Sequence, residues 1–252
     1  IVARCLDADL YENWTDVSGF LSADPRIVQN PRAIGRITFD EMRELSYMGA
    51  SVLQEEAIFP VREANIPIQI KNTNRPEDAG TVIRETADGD TNEHLITGIA
   101  GKKDFLAIHV KKAHMSNEVG VISRALNIVE RYGVSVEHIP TGVDSFGIVV
   151  NAYDVKDTVY SIISDIRREI EPDDITMVDR LALVSVVGRN MSRRSGTSGK
   201  IFGALGNAGV NIRMITQSSE EISIIVGVDN ADFDRTIGVI YNGFVRDEMV
   251  SR

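Results

Sequence analysis

The chain has 252 residues, enough for two or three small domains, each with a core of its own. Its 43% hydrophobic and 25% charged residues are ordinary for a globular protein, and a net charge of −10 opposes a nucleic-acid partner, which needs a concentrated Lys/Arg face. A single cysteine, Cys5, excludes an internal disulfide framework and fits a reducing, cytoplasmic setting, while the longest apolar runs, such as Leu181 to Val187, are too short to span a bilayer.

The chain opens on "IVARCLDADLYENWTDV", without a signal-peptide pattern and already inside an apolar segment. It reads as a piece whose upstream part is absent. A short helix end leads to a strand around Leu10–Trp14, and Cys5, with no neighbour to activate it, reads as a small core residue. The loop "TDVSGFLSADPR", residues 15–26, has turn formers and charge but neither nucleophile nor base. "TFDEMRELSYMG" carries a capping box, Thr38 with Glu41 three residues on, and Phe39, Met42 and Leu45 share one helical face up to Gly49. "SVLQEEAIFPVREAN" continues helically with a kink or restart at Pro60, and "IPIQIKNT" alternates as a strand. Residues 1–73 therefore read as α/β. Residues 74–93 are polar and rich in turn formers and read as a linker; Asp88, Asp90 and Glu93 lack the spacing of a calcium loop.

The remainder contains an internal repeat. "YGVSVEHI" at 132–139 matches "AGVNIRMI" at 208–215, and the glycines give the offset, 209 − 133 = 76. At that offset, without gaps, Phe105 meets Leu181, Gly120 meets Gly196 and Ile148 meets Ile224. The first copy reads strand, helix, strand, strand, helix, strand: "FLAIHVKK", "EVGVISRALNIVERYG", "VSVEHIPT", "FGIVVNAY", "VKDTVYSIISDIRREI" and "DITMVD". The second copy lacks a fourth strand downstream, and "HLITGIAG", 94–101, is a strand without an owner. The two facts together predict that 94–103 and 181–252 form one unit, with the other, 104–180, inserted in it.

"WTDVSGFLSADPRIV", "ELSYMGASVLQEEAIFPV" and "IPIQIKNTNRP", followed by "GT", resemble aspartokinase, and the tandem βαββαβ repeat is similar to the paired ACT regulatory domains of that family. The resemblance covers essentially the whole chain. It implies an α/β partial amino-acid-kinase fold plus two α+β, ferredoxin-like ACT domains. It also implies ATP-dependent phosphorylation of the aspartate side-chain carboxylate to 4-phospho-L-aspartate, with Mg2+, at the start of lysine, threonine and methionine synthesis. Feedback by L-lysine or L-threonine at the ACT domains, a homodimer through those domains, and neither nucleic-acid nor membrane partners go with it. The catalytic lysine and the aspartate-binding groups belong upstream of Ile1, so no catalytic residue and no resident metal site is expected here, and the piece alone should not turn over.

By the resemblance, Thr15, Asp16 and Arg26 contact the nucleotide, with Val52 contributing backbone. Leu21 stands where many members carry Tyr. Ser51 and Gln54 stand where the usual segment has Lys and His, which removes one cation. On the effector side, the helix N-terminus at Asn117, Glu118, Val119 and Gly120 can take an α-carboxylate. Glu137 or Asp144 can take an ammonium, and Ser135, Val136 and Gly142 lie along the same edge by alignment with the family. The matching positions of the second copy are Gly196, Thr197, Asn211 and Gln217. Two other readings compete: a non-catalytic amino-acid sensor with a degenerate kinase remnant, favoured by Ser51, and an RNA-recognition βαββαβ module, opposed by the acidic charge and by only Phe146 and Tyr153 on "FGIVVNAY". "SGTSGKI" lacks the leading Gly and the trailing Ser or Thr of a P-loop, and the four histidines lack zinc-site spacing.

Overall fold

The computed structural model describes residues 1–50, 52–53, 55–86, 94–217 and 220–246. Two sheets organise it. The first unit contains α1 (Val2–Cys5), β1 (Tyr11–Thr15), β2 (Arg36–Thr38), α2 (Phe39–Tyr47), α3 (Glu55–Glu63), β3 (Ile68–Asn72) and β4 (Thr81–Arg84). Its sheet has the order β1-β3-β4-β2, parallel except between β3 and β4. Alternation sets β3 in its centre: Ile68 and Ile70 are fully buried, where they meet Phe39, Met42 and Leu45 of α2. Thr38 caps α2 as expected, its hydroxyl accepting from the Glu41 N–H while Glu41 returns to the Thr38 N–H.

The segment read as a linker is partly structural. Within it, Thr81–Arg84 forms β4, which joins the first sheet between β3 and β2. Its reach is short, but Ile83 is fully buried and the Thr81 hydroxyl takes the Phe20 N–H at 2.8 Å and donates to the Ile34 carbonyl at 2.6 Å. Four residues are too few for alternation to stand out from a polar surround. Cys5 is also a correction: it is exposed, because α1 is a four-residue helix that buries nothing. The acidic positions Asp88, Asp90 and Glu93 lie outside the described residues.

The second part is a single six-stranded sheet, order β6-β7-β5-β8-β10-β9. It comprises β5 (Gly98–Lys111), α4 (Val121–Arg131), β6 (Val136–His138), β7 (Ser145–Asn151), α5 (Ala152–Val155), α6 (Val159–Ile170), β8 (Asp174–Val187), α7 (Thr197–Asn207), β9 (Met214–Gln217), β10 (Ser223–Asp229) and α8 (Phe233–Ile240), ending in a π-helical turn at Tyr241–Arg246. β5 and β8 are 14 residues each and antiparallel along their length. Half of each belongs to each repeat: Gly98–Lys102 pairs with Leu183–Val187, and Ala107–Lys111 with Asp174–Val178. Of the ownerless strand expected at 94–101, Gly98–Gly101 is strand and falls in the near half of β5, lying beside the strand that opens the second copy, while 94–97 precede it.

The ungapped offset holds through the helices and then slips. α4 and α7 are 76 apart, with αL glycines before each (Gly120, Gly196) and after each (Gly133, Gly209). On β10 the structural counterpart of Ile148 is Val226, not Ile224: Ile148 pairs with Ile108, and Val226 with Val184, 76 residues on. The offset there is 226 − 148 = 78. A two-residue insertion before β10 preserves which face each side chain takes, so the buried pattern alone could not reveal it. The helix expected through Val155 to Ile170 is broken at Thr158 into α5 and α6.

One face of the sheet carries helices, in two cores: Ile108, Ile128, Ile148 and Ile162 in the first repeat, and Val184, Ile201, Val226 and Ile237 in the second. The alternate residues Phe105, Ala107, Leu181, Leu183 and Ile225 turn to the other face and share a core with the first unit. That alternation is what docks the two units together.

Candidate functional site

Residues 15–19 follow β1 at its carboxyl end, where ligands bind in open α/β sheets. A cavity of about 640 Å³ opens there, and its wall includes Thr15, Asp16, Ser18, Gly19, Leu21 and Val52. Gly19 is needed for the turn: its φ is +101°, and a Cβ there would lie 2.2 Å from Thr81 Oγ1. Ser18 is held by three partners: it donates to Asp78 Oδ2 at 2.5 Å and accepts from Asn72 Nδ2 at 2.9 Å and Arg75 Nη2 at 3.1 Å.

Thr15, Asp16 and Val52 thus share one cavity, whereas Arg26 is outside its lining. The Arg26 guanidinium donates to the Asp24 carboxylate at 2.5 Å, and its side chain is 87% exposed. That pairing holds the Asp24 carboxyl below the usual range. Arg75 and Asp78, which also line the cavity, escaped the sequence reading because they sit in the apparent linker. So did Ile99–Gly101, Phe233 and Ile237, which bring the second repeat into the same wall. Ser51 and Gln54 lie outside the described residues.

The expected effector residues divide. Ser135, Val136 and Glu137 line a shallow groove of about 710 Å³ along β6 and α4. Asn117–Gly120, Gly142 and Asp144 are outside that lining. The loop before α4 is largely self-satisfied: the Asn117 N–H donates to His114 O at 2.9 Å, and the Glu118 N–H to Met115 O at 3.1 Å. The Glu118 carboxylate is paired with Lys112 at 3.2 Å and with Arg124, and the Lys112 bond above all keeps its carboxyl below the ordinary value. Val119 is 93% exposed. Gly142 donates to Ser145 O at 2.7 Å in the turn before β7, and Asp144 O accepts from the Lys112 N–H at 2.9 Å. Glu137 is already engaged: its Oε2 accepts the Tyr47 hydroxyl at 2.6 Å. His138, beside it, is depressed by burial, an effect the nearby Glu137 and Glu44 carboxylates oppose.

Glu41 holds the junction between the two parts. Its side chain is fully buried, yet its carboxyl is held below 4.5. Burial alone would raise it; the Thr97 hydroxyl at 2.6 Å, the Arg189 N–H at 2.9 Å and the Arg189 guanidinium at 2.8 Å outweigh that. Among the described residues no group of three or more His, Cys, Asp or Glu side chains could hold a metal, and no helix is long and apolar enough to cross a membrane.

An α/β unit with a cavity at its strand ends, docked on a double βαββαβ sheet, is an amino-acid-kinase segment joined to an ACT module. Family models agree: residues 1–72 match the amino acid kinase family and 184–244 the ACT domain. The whole chain is 39% identical to aspartokinase 3 of Bacillus subtilis, covering 55% of that protein. Over 96% of its length it is 27% identical to the chloroplastic aspartokinase 1 of Arabidopsis thaliana, covering 43% of it. The aspartate kinase of Clostridium acetobutylicum superposes with a TM-score of 0.90 at 50% identity, over 96% of this chain and 55% of that one. Escherichia coli aspartokinase III, solved with aspartate and ADP, shares the fold, with a TM-score of 0.79 at 24% identity over 96% of this chain and 54% of that one. The chain therefore has the sequence and fold of the C-terminal region of an aspartokinase, and it spans about half the length of the curated relatives it matches.

Proposed function

We propose that this chain is the nucleotide-side and regulatory portion of a kinase that transfers phosphate from ATP to the side-chain carboxylate of L-aspartate. The observation that carries the reading is the shared cavity: Thr15, Asp16 and Val52 meet at the carboxyl end of β1 although 52 is far from 15 in the chain. Phosphoryl transfer depends chiefly on positioning and charge, so a wall without base or nucleophile suits one half of such a site. Thr15 and Asp16 would hold the nucleoside and Val52 would offer its backbone. Arg26 reaches phosphate oxygens only on leaving Asp24, whereas Arg75 lines the wall itself, paired with Asp78 at 3.4 Å, and can supply the cation that Ser51 does not. Asp16 is a carboxylate on the cavity, Asp78 being engaged by Ser18 and Arg75, and Mg2+ is usually held by one or two carboxylates together with substrate phosphates, so Asp16 would be the side chain to hold a magnesium nucleotide. The ion would neutralise charge on the transferring phosphate.

The two repeats, 104–180 and 94–103 with 181–252, act on this reading as ACT modules, and the amino-acid-kinase part extends from residue 1 through β4. L-Lysine or L-threonine is the effector, and the groove at Ser135, Val136 and Glu137 is its seat. The open edges at β6 and β9 suit pairing with a second copy, as a homodimer through these modules. The test is to express the chain joined to its native upstream region and to measure ADP release with and without L-aspartate. Aspartate-dependent release supports the reading; its absence favours the non-catalytic sensor.

A further inference from the structure

Helix α2 is attached to both repeats, by contacts of opposite character. Its first turn is anchored through Glu41, fully buried and bound to Thr97 and Arg189 at the second repeat. Its last residue, Tyr47, is 51% exposed and reaches the first repeat through one hydrogen bond, to Glu137 at 2.6 Å. Lys102 Nζ lies 5.3 Å from the Tyr47 ring centre. Glu137 is the middle residue of β6, the edge strand beside the groove. The residues directly after Tyr47, Met48–Ala50, form part of the cavity wall shared with Thr15 and Asp16. Glu41 is buried at one end of α2, and at the other Tyr47 is exposed beside Leu45 and Met48, which belong to the core of the first unit, so a shift of Tyr47 is felt by that packing.

We propose that the Tyr47–Glu137 hydrogen bond passes occupancy of the β6 groove to the nucleotide cavity, with α2 pivoting on Glu41. An amino acid seated in the groove engages or shifts the Glu137 carboxylate, Tyr47 follows, and Met48–Ala50 moves with it. The phenol is well suited to this contact, because burial and the Glu137 carboxylate push its pKa up to about 12 and it remains a donor throughout the physiological range. Glu44 on the same helix, His138 on β6 and Lys102 on β5 are the other titratable groups at this contact. Coupling of this kind requires α2 to take two positions, each favoured by one state of the groove.

The inference rests on the effector reading above, and one experiment separates the two. Backbone amide exchange at Met48–Ala50 is measured on the full chain, alone and with saturating L-lysine or L-threonine, and binding is followed by calorimetry. In the unmodified chain the bound amino acid should change exchange there by about threefold or more. Tyr47→Phe keeps the ring on Lys102 and removes only the hydroxyl. It should bind the amino acid within about twofold of the parent affinity yet lose the exchange response. Glu137→Ala should lose the response too, and the double variant should add nothing, as for two halves of one contact. A response that persists in Tyr47→Phe, or binding to the unmodified chain without any response, overturns the link alone. No binding of either amino acid overturns the effector reading and the link with it.

Discussion

Glu41→Gln probes how the two parts are joined. In the native chain Oε2 accepts from the Thr38 N–H at 3.1 Å and from Arg189 Nη1 at 2.8 Å, while Oε1 accepts from the Thr97 hydroxyl at 2.6 Å and the Arg189 N–H at 2.9 Å. A glutamine has the same shape but only one acceptor oxygen. With the NH2 on the Oε2 side it faces the Thr38 N–H and Arg189 Nη1, both donors; on the Oε1 side the Thr97 hydroxyl can turn to accept, but the Arg189 N–H is left unpaired. Leaving a buried donor unpaired costs about 1–3 kcal/mol, and breaking a buried ion pair about 3–5 kcal/mol. The Arg189 side chain retains 21% exposure, so water recovers part of its charge, which places the expected loss near the lower end, at about 3 kcal/mol. For a chain of this size that is a fall in Tm of roughly 6–12 °C. Urea unfolding of the two proteins, followed by circular dichroism, gives the difference. A loss below about 1 kcal/mol would refute the view that this carboxylate carries the junction.

The Glu41 carboxyl is lowered in the folded state, so its stabilisation is present above its unfolded pKa and is lost as pH falls through the folded value. The stability gap between the parent and Glu41→Gln should therefore narrow below about pH 4.5, and a gap that widens there contradicts the assignment. Gly19→Ala should cost about 2–4 kcal/mol, since it combines a left-handed backbone with a Cβ that displaces Thr81 from Phe20 and Ile34; a neutral result in the same unfolding assay counts against that packing. Cys5 should react with a thiol reagent in the folded chain as fast as in urea, and protection in the folded chain would return it to the core. L-Lysine or L-threonine at about 100 times its dissociation constant should add about 2.7 kcal/mol of stability, read as a rise in Tm; no shift with either at millimolar concentration removes the effector site.

Local patterns were legible wherever one element decided them. The capping box at Thr38 and Glu41, the alternation of Ile68 and Ile70, and the glycines flanking each repeat helix all formed as their spacing demands. Long-range roles were not. Nothing in "TFDEMREL" distinguishes a capping glutamate from one that also binds residues 56 and 148 positions away. β4 is hidden by its brevity, and the slip of the repeat register by two is hidden because an even slip leaves the buried faces in place. At the candidate site, Thr15 and Asp16 could be picked out because a strand end and a turn place them. Arg26 stands outside the cavity lining because a flexible, exposed side chain takes the nearest carboxylate, and Asp24 is two residues away. Arg75 and Asp78 were missed because a loop that folds back over β1 looks, in sequence, like any polar connection.

Whether the cavity at the end of β1 is under amino-acid control can be decided by one titration. The chain is joined to its native upstream region, and aspartate-dependent ADP release is followed as L-lysine and then L-threonine are added. At least one of them should lower the rate in a saturable way, and Tyr47→Phe should blunt the inhibition without abolishing the uninhibited rate. Aspartate-dependent release that neither amino acid alters would contradict that control.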